Sequence, residues 1–129
     1  MRIRKPPSMR EKKRYVVFRI ICEKRHGYEE VKGAAMDSAL GWMGEKGISS
    51  SGMRLIRNLW DPERMEGWIA CTPKAVDDVK LSLALIHQIG DSRVIFRTVS
   101  VTGTIRSGMR SLASSADEAS GKEKSRVEG

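Results

Sequence analysis

The alternation of strand and helix patterns constrains this chain more than any other feature of its sequence. Residues 15–22 are rich in β-branched and aromatic side chains, which predicts a strand. Residues 28–46 shift to Ala, Met, Glu and Lys with apolar side chains at helical spacing, which predicts a helix. Residues 53–60 and 67–72 read as two further strands, and the turn chemistry of residues 61–64 between them predicts a hairpin.

The second half of the chain adds one more helix and strand, followed by a terminal helix. Pro73 begins a predicted helix over residues 74–89, which Gly90 ends, and residues 93–102 predict the last strand. Residues 104–113 have helical spacing and predict the terminal helix. The order is β-α-β-β-α-β plus a helix, an α+β arrangement of the ferredoxin-like kind with a four-stranded antiparallel sheet. Right-handed crossovers place the first two helices on one face of that sheet and leave the other face open.

The positive charge is concentrated at the N-terminus. The 129 residues carry 24 Lys and Arg against 16 Asp and Glu, which gives a net charge of +8. Residues 1–14 hold seven basic side chains against the single Glu11, whereas residues 15–103 are close to neutral, with 12 basic and 11 acidic side chains. A basic arm on a nearly neutral domain is a common way to hold a polyanion, although a solubilising tail would have the same composition.

Length and composition indicate one domain with flanking segments. A chain of 129 residues, 40% of them hydrophobic, has enough apolar matter for one core. We expect a basic arm over residues 1–14, a single domain over residues 15–113, and a disordered tail over residues 114–129. Cys22 and Cys71 form no C-x-x-C pair, and no apolar run approaches the ~18 residues of a membrane span. With no signal peptide pattern either, we expect a cytoplasmic location.

The sheet face opposite the two helices is a candidate RNA-binding surface. If Phe18 faces the core, the open face carries polar and aromatic side chains: Tyr15, Arg19, Arg54, Asn58, Trp60 and Arg97. Such groups suit phosphate contact and base stacking, but long Arg stems that cover an apolar sheet would produce the same pattern. The aromatic strand motif of RNA-recognition domains is absent, since residues 66–71 read Glu-Gly-Trp-Ile-Ala-Cys.

The end of the last predicted strand is a second candidate site. Gly103 breaks the strand and Thr104 stands at a helix N-cap, where free backbone N–H groups would attract an anion. Arg106 and Arg110 are four residues apart on one helical stripe, so a phosphate backbone could lie there. An ordinary capped amphipathic helix is equally compatible with these residues. The stripe expected to dock on the sheet is apolar and lies away from the arginines: Ile105, Met109 and Leu112.

The second predicted helix is apolar on two opposite sides. The first side carries Val76, Val79, Leu83 and Ile86. The second side carries Leu81, Leu85 and Ile89. Because the sheet can bury only one of them, the second side predicts a surface for a protein partner or a second copy of the chain, unless the terminal helix covers it.

Signals for catalysis by this chain are weak. His26 and His87 have no Cys or His at metal-ligand spacing, so no metal site is expected. The adjacent carboxylates of residues 29–30 and 77–78 diverge by about 100° on a helix and cannot share a site. An enzyme of the acylphosphatase kind would need a phosphate loop with a catalytic Arg after the first strand, where Arg25 is only a weak match.

Two segments near the ends of the predicted domain form motifs. Residues 6–15 read Pro-Pro-Ser-Met-Arg-Glu-Lys-Lys-Arg-Tyr, and residues 97–106 read Arg-Thr-Val-Ser-Val-Thr-Gly-Thr-Ile-Arg. These segments resemble two motifs of the archaeal ribonuclease P protein component 2 family, namely prolines followed by L-R-(D/E)-K-x-R-Y, and R-T-x-x-V-S/T-G-T-I-K/R. That family is related to a eukaryotic ribonuclease P/MRP subunit of the same fold. The resemblance covers residues 6–110. The chain departs from it at Ser8-Met9, where Thr-Leu is usual, and in a terminal helix that is less basic.

The resemblance implies a subunit of ribonuclease P, the ribonucleoprotein that removes the 5′ leader from precursor tRNA. It implies the ribonuclease P RNA and the TIM-barrel-like protein component 3 as partners, Mg²⁺ held by the RNA, and no catalytic residue in this chain. Basic side chains would neutralise crowded RNA phosphates. A ribosomal or other structural RNA-binding protein of this fold is the alternative. The candidate RNA-binding residues are Arg10, Lys12, Lys13, Arg14, Arg19, Arg97, Thr104, Arg106 and Arg110.

Overall fold

A long central strand organises the sheet because both of its edges are paired. In a computed structural model that describes residues 12–113, β1 (Arg14–Cys22) pairs antiparallel with β3 (Glu66–Cys71) and with β5 (Ser92–Thr102). Two short strands lie at the sheet edges, β2 (Arg54–Leu55) beside β3 and β4 (Gln88–Ile89) beside β5. The sheet therefore has five strands in the order β2-β3-β1-β5-β4.

The main core lies between this sheet and two helices, α1 (Tyr28–Ser51) and α2 (Val76–Ala84). Phe18 of β1 is buried there and stacks on Phe96 of β5, with ring centroids 5.4 Å apart. Gly67 of β3 makes room for this ring, because a Cβ at that position would lie 2.5 Å from Phe18 Cζ. The remaining core residues from β1 and the helices are Val16, Ile20, Val31, Ala35, Ala39, Val79 and Leu83.

The α+β class and the antiparallel sheet are confirmed, but the prediction of four strands is wrong. Pro73–Ala75 form a 3₁₀ turn, and α2 follows it. The predicted helix over residues 74–89 therefore ends five residues early, at Ala84. Residues 88–89 instead pair with the start of β5, and Gly90, with φ of 61°, forms the turn of this hairpin. The apolar residues of this segment, Leu85, Ile86 and Ile89, have a spacing that suits either a helix or a strand. Pairing with β5 selects the strand.

The first helix extends beyond its predicted end and is interrupted once. Gly44 has φ of 75°, a conformation that favours glycine, and the helix resumes until Ser51. Gly52, with φ of 62°, ends it in the left-handed region. The predicted strand over residues 53–60 shortens to the two residues of β2, because Arg57–Leu59 form a 3₁₀ turn. Among residues 12–113, no helix is long and apolar enough to cross a membrane.

A third helix, α3, comprises residues 105–113 and packs on the sheet face opposite α1 and α2. Its contact residues are Gly108 and Leu112, which lie over the buried Trp68. The predicted docking stripe is therefore wrong in part, since Ile105 and Met109 are exposed. The helix turns its glycine toward the sheet because only a residue without a side chain fits above the indole ring.

Candidate nucleic-acid interface

The end of the basic arm lies beside the turn between β5 and α3. Tyr15 pairs with Thr102 in the register of β1 and β5. The guanidinium of the preceding residue, Arg14, reaches the turn, and its Nη1 lies 3.6 Å from the position that a Cβ would take at Gly103. Residues 12–13 are exposed next to it. Strand pairing thus brings together two basic segments that are far apart in the sequence.

The start of α3 has the predicted cap. Oγ1 of Thr104 accepts a hydrogen bond from the backbone N–H of Ser107 at 3.1 Å, which confirms the N-cap. Oγ1 of Thr102 donates to the carbonyl of Thr104 at 2.8 Å and holds the turn in place. The Thr104 hydroxyl is therefore committed to the helix, and it positions the turn. Arg106 and Arg110 are both exposed on the helix that it caps.

Arg19 and Arg97 are cross-strand neighbours on the sheet face that carries α3, but their environments differ. Nε and Nη2 of Arg19 donate to Oε2 of Glu66 at 3.1 and 2.5 Å. The Arg19 side chain is 30% exposed and that of Glu66 only 4%, so the ion pair is largely shielded from water. Arg97 is exposed and has no ion-pair partner among the described residues. The free positive charge at this place belongs to Arg97.

The other residues predicted for this face divide into those that lie there and those that do not. The rings of Tyr15 and Trp68 meet edge to face, with centroids 6.2 Å apart. Arg54 is exposed in the same cross-strand row as Tyr15. Asn58 is exposed in the 3₁₀ turn, outside any strand. Trp60 packs against the main core on the opposite face, so its predicted position is wrong, because the chain leaves the sheet at the 3₁₀ turn.

The second apolar side of α2 is open to solvent at two of its three predicted residues. Leu81 of α2 and Leu85, the residue that caps its C-terminal end, are exposed and are called the exposed leucines of α2 below. Ile89 is buried in the main core as part of β4, so it cannot belong to this surface. Because α3 lies across the sheet from α2, it does not cover the two leucines.

The titratable side chains show no activated nucleophile among residues 12–113. Burial raises the pKa of the Cys71 thiol to about 11 and also raises that of Cys22, so both free thiols stay protonated. Nδ1 of His26 lies 2.9 Å from Oε2 of Glu30, and this hydrogen bond lowers the pKa of the carboxyl. No three His, Cys, Asp or Glu side chains in this part of the chain form a group that could hold a metal ion. Arg10 of the predicted site and the predicted tail lie outside the described residues.

Comparison with known proteins places these features in a family. The family model described as the Rpp14/Pop5 family matches residues 14–113. The chain belongs to the Rpp14/Pop5 family. Within it, the chain is similar to the ribonuclease P protein component 2 of Archaeoglobus fulgidus, with 40% identity over 78% of this chain and 88% of the relative. The protein of the same name from Pyrococcus furiosus is 35% identical over 78% of this chain and 82% of the relative.

Family membership confirms the resemblance that the two end motifs indicated. A third relative, ribonuclease P protein component 2 of Methanothermobacter thermautotrophicus, is 32% identical over 79% of this chain and 86% of the relative. The family match begins at Arg14, the residue that contacts the β5–α3 turn, and includes all of α3 that the structure describes. Arg14, Arg106 and Arg110 therefore lie inside the family match, whereas residues 12–13 precede it.

Proposed function

We propose that this chain is the component 2 subunit of ribonuclease P, the ribonucleoprotein that removes the 5′ leader from precursor tRNA. The observation that carries the proposal is the position of Arg14 beside the β5–α3 turn in a member of the Rpp14/Pop5 family. That position makes one basic surface from residues 12–14 and the capped helix. Such a surface suits the closely spaced phosphates of a folded RNA.

The role of this surface is electrostatic. Residues 12–14, Arg106 and Arg110 neutralise phosphates where RNA segments pack together, and this stabilises the active RNA fold at lower Mg²⁺ concentrations. In this proposal the Mg²⁺ of the reaction is bound by the RNA, and precursor tRNA meets the chain only within the complex. The chain contributes binding groups and no catalytic residue.

The exposed leucines of α2 contact a protein subunit in the same complex, and we assign component 3 to them. Leu85→Asp, which places a charge on this surface, is expected to weaken association with purified component 3. Ile95→Asp is the matched control, because Ile95 is a similarly exposed apolar residue on the sheet. Equal binding of component 3 by both variants would exclude this surface, and loss of self-association in Leu85→Asp alone would assign it to a second copy of the chain.

Reconstitution tests the proposed function directly. Ribonuclease P assembled from its RNA and protein subunits should cleave precursor tRNA more slowly, and need more Mg²⁺, when this chain is omitted. The isolated chain should not cleave the precursor. A cleavage rate that does not depend on the chain would favour a ribosomal or other structural RNA as its partner, and cleavage by the isolated chain would refute the non-catalytic role.

A further inference from the structure

A groove separates the second half of α1 from the start of α2. The break at Gly44 changes the path of α1, and the groove beside it has a volume of about 760 Å³. Trp42 and Met43 line it from α1, and Pro73 and Lys74 line it from the 3₁₀ turn that precedes α2. The exposed leucines of α2 do not line this groove, and Lys12 is the one groove residue that also belongs to the proposed surface at the β5–α3 turn.

Trp42 gives the groove an aromatic wall. Among residues 12–113 it is the only exposed Phe, Tyr or Trp side chain, with 47% of its surface open to solvent. Its Nε1–H donates to Oδ1 of Asp78 at 3.1 Å, which holds one edge of the indole against α2. An aromatic ring that is fixed at its edge and exposed in a concave surface is suited to stacking with a planar ligand.

The charges along the groove favour a nucleic acid over a peptide or an uncharged ligand. Lys12 and Lys74 line the groove, and its acidic residue, Asp78, is already engaged by the indole N–H. A smaller cavity of about 220 Å³ shares Lys12 with the groove and continues past Lys13 to Arg54. Four basic side chains therefore follow one path that begins at an exposed indole. Proteins that bind single-stranded nucleic acid combine the same two elements, a basic path for the backbone and an aromatic ring for a base.

We propose that this groove binds an unpaired nucleotide of a single-stranded RNA segment, with the base stacked on Trp42 and the flanking phosphates on Lys12 and Lys74. The site goes beyond the proposed function because it reads a single strand, whereas the surface at the β5–α3 turn contacts phosphates of packed RNA. Stacking on an indole tolerates any base, so the groove selects for an unpaired base rather than for a sequence.

Binding of the full chain to a labelled oligouridylate of about ten nucleotides tests the proposal. Trp42→Ala should weaken this binding about 5- to 100-fold and leave binding to a blunt RNA duplex unchanged. Trp42→Phe keeps an aromatic face and should recover much of the affinity. Leu40→Ala is the matched control, because Leu40 is 45% exposed on α1 but lies outside the groove, and the binding of this variant should equal that of the unsubstituted chain. Lys74→Ala should reduce the magnitude of the salt slope for the oligouridylate by about 0.7.

Three results would overturn the proposal. The first is an oligouridylate affinity in Trp42→Ala equal to that of the Leu40→Ala control. The second is an equal loss on duplex RNA, which would indicate a general change in the basic surface. The third is a loss of association with a protein subunit but not with RNA, which would assign the groove to a peptide segment. If Trp42→Ala unfolds, Lys74→Ala keeps the proposal testable, because an unchanged salt slope for the oligouridylate in this variant would overturn it. Ribonuclease P reconstitution is a separate readout, so failure of this site leaves the proposed function standing.

Discussion

The close contact between α3 and Trp68 predicts what a substitution at Gly108 will do. A Cβ at this position would lie 2.3 Å from Cη2 and 2.6 Å from Cζ3 of Trp68, and 3.2 Å from Oγ1 of Thr102. The first two distances are far below van der Waals contact. The buried indole cannot withdraw easily, because Val17 and Leu112 pack around it. Gly108→Ala must therefore push α3 away from the sheet.

The free energy of this change has two parts of opposite sign. Overpacking a buried contact by one methyl group destabilises a protein by about 1–3 kcal/mol. Replacing Gly by Ala inside a helix stabilises it by about 1 kcal/mol. Gly33 of α1 isolates the second part, because a Cβ there would meet nothing within 4 Å. We expect Gly33→Ala to raise the free energy of unfolding by about 1 kcal/mol. The free energy of unfolding of Gly108→Ala should be about 1–3 kcal/mol lower than that of Gly33→Ala.

Urea unfolding followed by circular dichroism measures both free energies, and RNA binding at several salt concentrations measures the functional consequence. Because α3 carries Arg106 and Arg110, displacement of the helix should weaken RNA binding and flatten its salt dependence in Gly108→Ala but not in Gly33→Ala. If the two variants have the same stability and the same salt dependence, α3 does not dock on Trp68 and the reasoning is refuted.

Other features of the structure lead to further predictions. Glu66→Gln leaves a half-buried guanidinium without its carboxylate, and we expect urea unfolding to show a loss of about 1–3 kcal/mol. Glu29→Gln is its control, since that ion pair is 72% exposed on both sides and should change stability by less than about 0.5 kcal/mol; equal losses would contradict the burial argument. In the double variant Arg14→Ala with Arg106→Ala, the slope of log binding constant against log salt concentration should become smaller in magnitude, by about 0.7–0.9 for each phosphate that is no longer neutralised. An unchanged slope would exclude both residues from the RNA interface. Burial raises the pKa of Cys71 from 9.0 to about 11, so the folded chain keeps a proton that the unfolded chain releases. Stability is therefore unaffected below pH 9.0 and falls as the pH rises toward about 11, and urea unfolding across this range should show a shallower fall in Cys71→Ala.

Local periodicity predicted the elements whose pattern allows one interpretation. The predicted core face of β1 is confirmed, because Val16, Phe18 and Ile20 lie in the main core, whereas Val17 is buried on the opposite face under α3. The same reasoning failed over residues 85–89, whose apolar pattern fits two structures and was resolved by pairing with β5. It also missed Trp68 as the support for α3. The local signal for that contact is Gly108. Its role in docking α3 can be recognised only once the structure places it above the Trp68 indole.

The sequence by itself determined the chemistry of this protein, namely which segments are basic, which residue can cap the last helix, and which family motifs stand at the two ends. These are properties of single residues and close neighbours, so they need no fold. The tertiary structure alone decided which charges act together. Pairing of β1 with β5 brings Arg14 to Gly103, and pairing of β1 with β3 sets Arg19 against Glu66. Strand partners are separated by long stretches of chain, so only the register of the folded sheet decides that Arg19 is neutralised by Glu66 while Arg97 stays exposed.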